Sequence, residues 1–403
     1  GPAARSAARP CIRHALQQPT VQALRQPSMQ ILAKPGPVVV LGATGYIGKA
    51  VVRELLQRGR PTIAFVRQGS NSRVPELEGA TIVKGDVILD RGGHLSSALT
   101  GASGVISCLS SRSGSPEEVW QIDYAGSKLA LDLLNELGDA GAAYVLLSAV
   151  CVKTPVLQLH RAKLAMEQAL ANSGTAHAVV RPSAYFKSIS KQVPNVVAGK
   201  PYVLWGDGTH TRCNAIGQRD LAALLVDCLD DAHSLNRVVE IGGPGSPVTP
   251  LEQSQLIFRE AGLEPKYVRV PLGWLDAITG TLEATERAVP DSAFLRDFAE
   301  YARISRFYAT VDMIGPSDPQ YGREQLAPFY AQEVRLAKDD ECKEESLGLP
   351  ASSLLASLMA TALPVTFGLV LLLLSPVPNG IGTRGVLGSA VLAYSELFQR
   401  AHL

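Results

Sequence analysis

Glycines 42, 45 and 48 stand three apart directly after the run Val38-Val39-Val40-Leu41. The chemistry this spacing suits is the holding of a diphosphate. An anion can approach backbone closely only where side chains are missing, N–H groups are free and a helix presents its positive end. A strand that turns into a helix at glycines supplies all three. Pro35-Gly36-Pro37 blocks a helix ahead of the run, and Ile47, Ala50, Val51 and Leu55 recur at helical spacing until Gly59. Gly42, Thr44, Gly45, Tyr46, Ile47 and Gly48 are therefore the expected cofactor loop, the last glycine being there to let helix and strand pack closely.

The next strand-like run, Thr62 to Arg67, bears on which dinucleotide is held. An NAD site carries an acidic residue about 20 positions beyond the glycines, where it grips the ribose hydroxyls. Here Arg67 stands in that region, followed by Ser70, Asn71, Ser72 and Arg73. A guanidinium matches a 2′-phosphate in charge and geometry, so the expected cofactor is NADPH. A solvated arginine at a strand end is the plainer alternative.

Strand and helix signals alternate onward. Strands are expected at Ala80 to Val83, Gly104 to Leu109, Ala143 to Ser148 and Ala176 to Val180, with helices from about Glu117 to Leu137 and from Thr154 to Asn172. This pattern predicts an α/β fold, a Rossmann-like doubly wound parallel sheet. Ligands then lie at the carboxyl ends of the strands, which brings Asp86, Val87, Ser107 to Ser111 and Ser148 to the cofactor. The irregular stretch from Arg181 to Thr211 is expected on the substrate side.

A chain of 403 residues, 46% hydrophobic, can bury a full core, and its net charge of +1 gives no pull toward nucleic acid. Its six cysteines are scattered without metal-ligand spacing, so no metal site is expected. The first 34 residues hold Arg5, Arg9, Arg13, Arg25 and Lys34 and no acidic residue, a composition typical of organellar presequences. Near the other end, Ala351 to Ser375 is 25 residues without a charge, long enough to span a bilayer, although a packed soluble helix is the alternative. The expected organisation is a presequence at 1–34, a dinucleotide-binding domain at 35–180, an interleaved substrate-binding region at 181–345, and a spanning helix at 351–375 with a tail to 403.

The order Gly42-Ala43-Thr44-Gly45-Tyr46-Ile47-Gly48, Phe65-Val66-Arg67, Lys84-Gly85-Asp86-Val87 and Arg181-Pro182 resembles the atypical short-chain dehydrogenases. Five later segments are similar to the NADPH-dependent divinyl chlorophyllide a 8-vinyl-reductases of plants and algae. They are Gln158 to Leu164, Val180 to Ser188, Gly199 to Val203, Gly206-Asp207-Gly208 and Ile241 to Gln253. The similarity runs from about Pro37 to Leu336 and closes on Tyr321 to Tyr330. It implies a plastid presequence, a divinyl chlorophyllide or related tetrapyrrole as partner, and reduction of the 8-vinyl group to ethyl. It leaves oligomeric state open and gives the apolar tail no support. A non-catalytic plastid assembly factor on the same fold is the second reading, and a reductase of soluble phenolics the third.

The Tyr-x-x-x-Lys pair usual in the wider superfamily is missing, because Leu159 stands four residues before Lys163. Lys163 still follows Ser148 by 15 residues on the next helix, where its ammonium can reach the nicotinamide ribose. Candidates for the proton donor are His160, Tyr124, Tyr185 and Lys187. Tyr185 serves as an aromatic wall or as an acid, and Lys187 as a partner for a propionate carboxylate or as a surface lysine. Arg67→Ala should lower the preference for NADPH over NADH by roughly 1–3 kcal/mol without unfolding the chain, as compared by binding titrations of both cofactors. Equal use of both by the unaltered protein removes Arg67 from the site.

Overall fold

A computed structural model describes residues 36–89, 93–138, 141–231, 234–316 and 322–346. The basic segment 1–34, the apolar run 351–375 and Tyr321 lie outside the described residues. The β-branched runs become β1 (Val38–Leu41), β2 (Thr62–Arg67), β3 (Thr81–Gly85), β4 (Gly104–Ser107), β5 (Ala143–Leu147) and β6 (His177–Pro182). Farther on come β7 (Tyr202–Trp205), β8 (Arg237–Ile241) and β9 (Tyr267–Val270). Seven strands form one sheet in the order β3-β2-β1-β4-β5-β6-β8. Every pairing in it is parallel. Strands β1, β4 and β5 are buried along their whole length, as parallel strands covered on both faces must be. The order reverses between β1 and β4, so the glycine turn leaves β1 at the switch point where such sheets open a crevice.

The helices are α1 (Tyr46–Gln57), α2 (His94–Leu99), α3 (Pro116–Val119), α4 (Ser127–Glu136), α5 (Gln158–Ala171), α6 (Phe186–Ile189) and α7 (Val193–Val197), followed by α8 (Gln218–Asp230) and α9 (Pro250–Ala261). Two long helices, α10 (Leu272–Ala288) and α11 (Ala293–Thr310), form a hairpin, and α12 spans Leu326–Ser346. Val51 and Leu55 of α1 and Leu221 and Leu225 of α8 pack on one face of the sheet. Leu95 of α2, Leu131 and Leu134 of α4, and Met166 and Leu170 of α5 pack on the other.

The helix expected near Glu117 forms with an interruption, since α3 and α4 are joined end to end by a π-helical segment, Trp120–Gly126. Such wider turns rotate the faces on either side and are often found at functional sites. Gly126 has no side chain to spare there, because a Cβ would lie 2.8 Å from Val87 Cγ2. Helix α5 starts at Gln158, later than the expected Thr154, because Pro155 disfavours helical backbone at the residue before it. The stretch read as irregular from Arg181 holds α6, α7 and β7. Strand β7 is short and finds its parallel partner, β9, far along the chain. Its other edge is covered by one side chain: Val203 N–H donates to Gln192 Oε1 at 2.8 Å, and Gln192 Nε2 donates to the Val203 carbonyl at 3.0 Å.

The motif Ile241-Gly242-Gly243 is explained by crowding. A Cβ on Gly243 would sit 1.8 Å from the Ala215 carbonyl oxygen, and one on Gly242 2.0 Å from Asn214 Nδ2. Buried Asn214 ties this crossing to a third segment, donating to the Gly315 carbonyl at 2.8 Å and accepting from Gly315 N–H at 3.0 Å. The chain divides into two compact units, one running to Val334 and one from Arg335. The first contains the whole sheet, while the described part of the second is the remainder of α12. Among the described residues no helix is long and apolar enough to cross a membrane.

Candidate functional site

The three glycines answer to different constraints. Gly42 is left-handed, with φ 72°, and a Cβ on it would meet the Cys108 carbonyl oxygen at 2.7 Å. A Cβ on Gly48 would stand 2.1 Å from the Gly42 carbonyl oxygen, so strand and helix touch there through bare backbone. Gly45 is exposed, has ordinary extended dihedrals and would bring a Cβ to 3.1 Å from Gly42 O, a tight contact that a slight shift relieves. The fold alone explains glycine at 42 and 48. At 45 the open side of the turn is what a side chain would fill, which is the cradle a diphosphate needs. The first turn of α1 adds the N–H groups of Tyr46, Ile47 and Gly48, with no acidic residue and no side-chain cap to occupy them. Ile47 contributes backbone alone, its side chain being buried in the core, and Thr44 is half-buried on the turn.

Arg67 ends β2 with its side chain exposed, close enough that its charge helps hold the Glu118 carboxyl below the usual range. Burial opposes that shift, and hydrogen bonds from Ser113 and from the Ser113 and Arg112 N–H groups favour it. Beside Arg67 opens a cavity of about 300 Å³ lined by Gln68, Gly85, Asp86, Leu89 and His94. Asp86 borders this recess, but its Oδ1 accepts from Ile88 N–H at 2.7 Å and shapes the turn after β3. Val87 faces Gly126.

Lys163 points into the sheet's carboxyl edge. Its ammonium lies 3.1 Å from Asp123 Oδ1 in the π-helical segment and donates to the Leu147 carbonyl at 3.2 Å. Both side chains are buried. Ser111 N–H donates to Asp123 Oδ2 at 2.9 Å, anchoring the loop after β4 to the same carboxylate. Burial pushes the Cys108 thiol up to about 12 and the Cys151 thiol up to about 11, against the pull of the Lys163 charge, so neither is a thiolate near neutrality. His160 is buried, with Nδ1 3.1 Å from the Thr154 carbonyl and its ring edge-on to Phe307 at 4.7 Å. Burial lowers its pKa to about 4, which makes it a neutral packing residue rather than an acid.

Ser148 is turned toward a brace of charges. Its hydroxyl donates to Glu167 Oε1 at 2.5 Å, and Arg181 bridges Glu167 to Glu240, which also receives Lys153. Tyr185 is half-buried, its ring 6.3 Å from that of Tyr46. Burial raises its phenol well above the usual tyrosine range, and Cys108, Cys151, Tyr308 and Asp123 each add to the rise. Lys187 is paired with Glu333 at 2.8 Å and is 57% exposed. Tyr124 packs edge-on against Trp120 at 5.6 Å. Lys163, Tyr185 and the glycine turn therefore share the carboxyl edge of the sheet, while Asp86 lines the recess beside Arg67.

Sequence reasoning missed Asp123, Glu167, Glu300 and Tyr308. Asp123 has no fixed spacing from Lys163, and the hairpin bearing Glu300 and Tyr308 reads in sequence as two amphipathic helices. Among the described residues no group of His, Cys, Asp and Glu could hold a metal ion.

The fold and site define a nicotinamide-dinucleotide-binding oxidoreductase class. The NAD(P)H-binding family matches residues 42–232. An NADPH-dependent quinone oxidoreductase of Escherichia coli, solved with NADPH, shares the fold with a TM-score of 0.55 and 19% identity over 73% of this chain and 99% of that one. The divinyl chlorophyllide a 8-vinyl-reductase of Oryza sativa subsp. indica, a chloroplastic protein, is 38% identical over 74% of this chain and 78% of its own length. This chain belongs to the divinyl chlorophyllide a 8-vinyl-reductase family. The photosystem II assembly factor Ycf39 of Cyanophora paradoxa is more distant, at 26% over 60% of this chain and 74% of that protein.

The glycine geometry separates two variants. Gly45→Val should fold with a near-native melting temperature and weaken NADPH binding by on the order of a hundredfold, about 3 kcal/mol. Gly48→Ala should lose stability first, because its methyl group meets backbone. Calorimetric titration alongside thermal melts reads both, and a near-native dissociation constant in folded Gly45→Val takes the turn out of the site.

Proposed function

We propose that this chain reduces the 8-vinyl group of divinyl chlorophyllide a, or of the related protochlorophyllide, to ethyl with NADPH, inside plastids. The observation that carries this is the buried Lys163–Asp123 pair at the strand ends, beside a glycine turn whose middle position is open. The residues fit a dinucleotide: N–H groups of the first α1 turn for the diphosphate, Arg67 for a 2′-phosphate, the recess at Asp86 for the adenosine end, and Lys163 for the nicotinamide ribose. NADPH, when bound, supplies the hydride. Asp123 holds the Lys163 side chain aimed at the cleft, so the ribose is held without a tyrosine four residues earlier. Tyr185, whose ring lies beside Tyr46 at the start of α1, is the group we assign as proton donor to the second vinyl carbon, although burial makes it a weaker acid. Lys187, paired with Glu333 and open to solvent, is the group we assign to the propionate carboxylate. Ser148 holds the brace beneath this floor through Glu167.

Incubating the protein lacking residues 1–34 with divinyl chlorophyllide a and NADPH, then chromatographing the pigment, tests the reading. Monovinyl product is expected, and Lys163→Met should reduce its rate of formation about a hundredfold or more. Absence of product while NADPH binds would favour an assembly factor, the role named for the more distant relatives.

The charge-free run 351–375 is the basis for a second part of the proposal, that the chain is held on a plastid membrane with its catalytic unit on the stromal side. A tethered enzyme meets an apolar macrocycle at high local concentration. Carbonate washing should release a form truncated at Pro350 and leave the full chain in the membrane. Equal release of both ends the membrane claim.

A further inference from the structure

The Lys163–Asp123 pair joins two elements distant in sequence, and something has to set their separation. Lys163 lies on α5 and Asp123 in the π-helical segment. The first residue of α5, Gln158, is gripped from both sides. Its side-chain Oε1 accepts from Trp120 Nε1 at 3.0 Å, and Trp120 is one turn before Asp123. Its backbone N–H donates at 2.7 Å to Glu300 Oε1, which comes from α11 of the hairpin.

Helix α5 has no cap of its own. Its N-cap residue is Leu157, buried in the core, and no side chain in the first turn is acidic. A carboxylate borrowed from the hairpin satisfies a first-turn N–H and complements the positive helix end. Glu300 is 1% exposed, and its second oxygen meets Arg303 Nη1 at 3.1 Å. Arg303 also pairs with Glu283 and Glu286, so the charge behind Glu300 is itself held by α10. Farther along α11, Phe307 packs against His160 in the first turn of α5, and Tyr308, 46% exposed, neighbours Tyr185.

We propose that Glu300 is a positioning residue for the reduction: through Gln158 it locks the start of α5 to the hairpin and, with Trp120, fixes the Lys163 ammonium against Asp123. This role rests on the function proposed above, since Lys163 acts there on the nicotinamide ribose. The α10–α11 hairpin is then mechanically joined to the group that orients the cofactor.

Glu300→Ala and Glu300→Gln in the full chain test the lock, read by NADPH affinity, steady-state turnover of divinyl chlorophyllide a and hydrogen exchange at Gln158 to Arg161. Glu300→Ala should speed exchange across that turn and lower kcat about tenfold to a hundredfold. The NADPH dissociation constant should stay within about twofold, because the glycine turn and Arg67 supply most of the hold. Glu300→Gln retains an oxygen acceptor for Gln158 N–H, and Arg303 keeps its two other carboxylates, so most of the turnover should return. A merely structural glutamate predicts instead that both variants lose melting temperature and cofactor binding together. Wild-type turnover in Glu300→Ala, or an equal fall in both variants, overturns the proposal. Should Glu300→Ala fail to fold, Trp120→Phe, which removes the indole donor to Gln158 together with part of the ring packed on Tyr124, tests the other half of the grip: unchanged exchange and turnover there overturn the proposal. If the unaltered protein makes no monovinyl product, the functional reading fails separately, and unchanged exchange in Glu300→Ala still disproves the lock.

Discussion

A lysine and an aspartate buried 3.1 Å apart at the carboxyl edge of a parallel sheet set the terms for what surrounds them. Removing either partner of such a pair leaves a charge without water, at a cost of about 3–5 kcal/mol. The pair therefore needs a surrounding that keeps both groups in place. Leu147 offers its carbonyl to the ammonium and Ser111 its N–H to the carboxylate, so the ends of β5 and β4 are drawn into the same knot. Burial keeps the nearby thiols protonated near neutrality and His160 neutral.

A second charged cluster lies alongside it. Ser148, Glu167, Arg181, Glu240 and Lys153 connect the end of β5 with α5, β6 and β8. Both clusters share α5, which carries Lys163 toward the cleft and Glu167 toward the brace. That helix has modest apolar patterning and a crowded polar face, so its placement depends on specific partners more than on a broad apolar stripe. The ring of Tyr185, just before α6, then packs 6.3 Å from that of Tyr46 at the start of α1.

What could be read in the sequence was whatever local geometry dictates. The glycine turn was legible because a strand, three glycines and a helix are contiguous, and the contact at Gly48 is with Gly42 in the same turn, although the crowding at Gly42 comes from Cys108 on the neighbouring strand's exit. The parallel sheet was legible because its strands are short apolar runs at regular intervals with helical patterns between them. Asp123 was not, since its value depends on a π-helical turn that rotates it toward a lysine on another helix. Glu300 was hidden for a related reason: as a carboxylate on an amphipathic helix it looks like any solvated residue until the fold brings Gln158 to it. The pairing of β7 with β9 escaped detection because a four-residue strand carries little signal and its partner lies beyond two intervening helices and another strand. The motif Gly242-Gly243 was noticed as a likeness, and its cause is crowding against Ala215 and Asn214.

The amide of Gln192 covers β7 as a neighbouring strand would, offering one acceptor and one donor to Val203. A two-stranded ribbon has bare edges on both sides, and bare edges invite pairing with other chains. One side chain thus withdraws from intermolecular pairing a strand whose outward Val203 would otherwise favour adhesion. This is protection against self-association achieved with a single residue, and it leaves β9 as the ribbon's remaining edge.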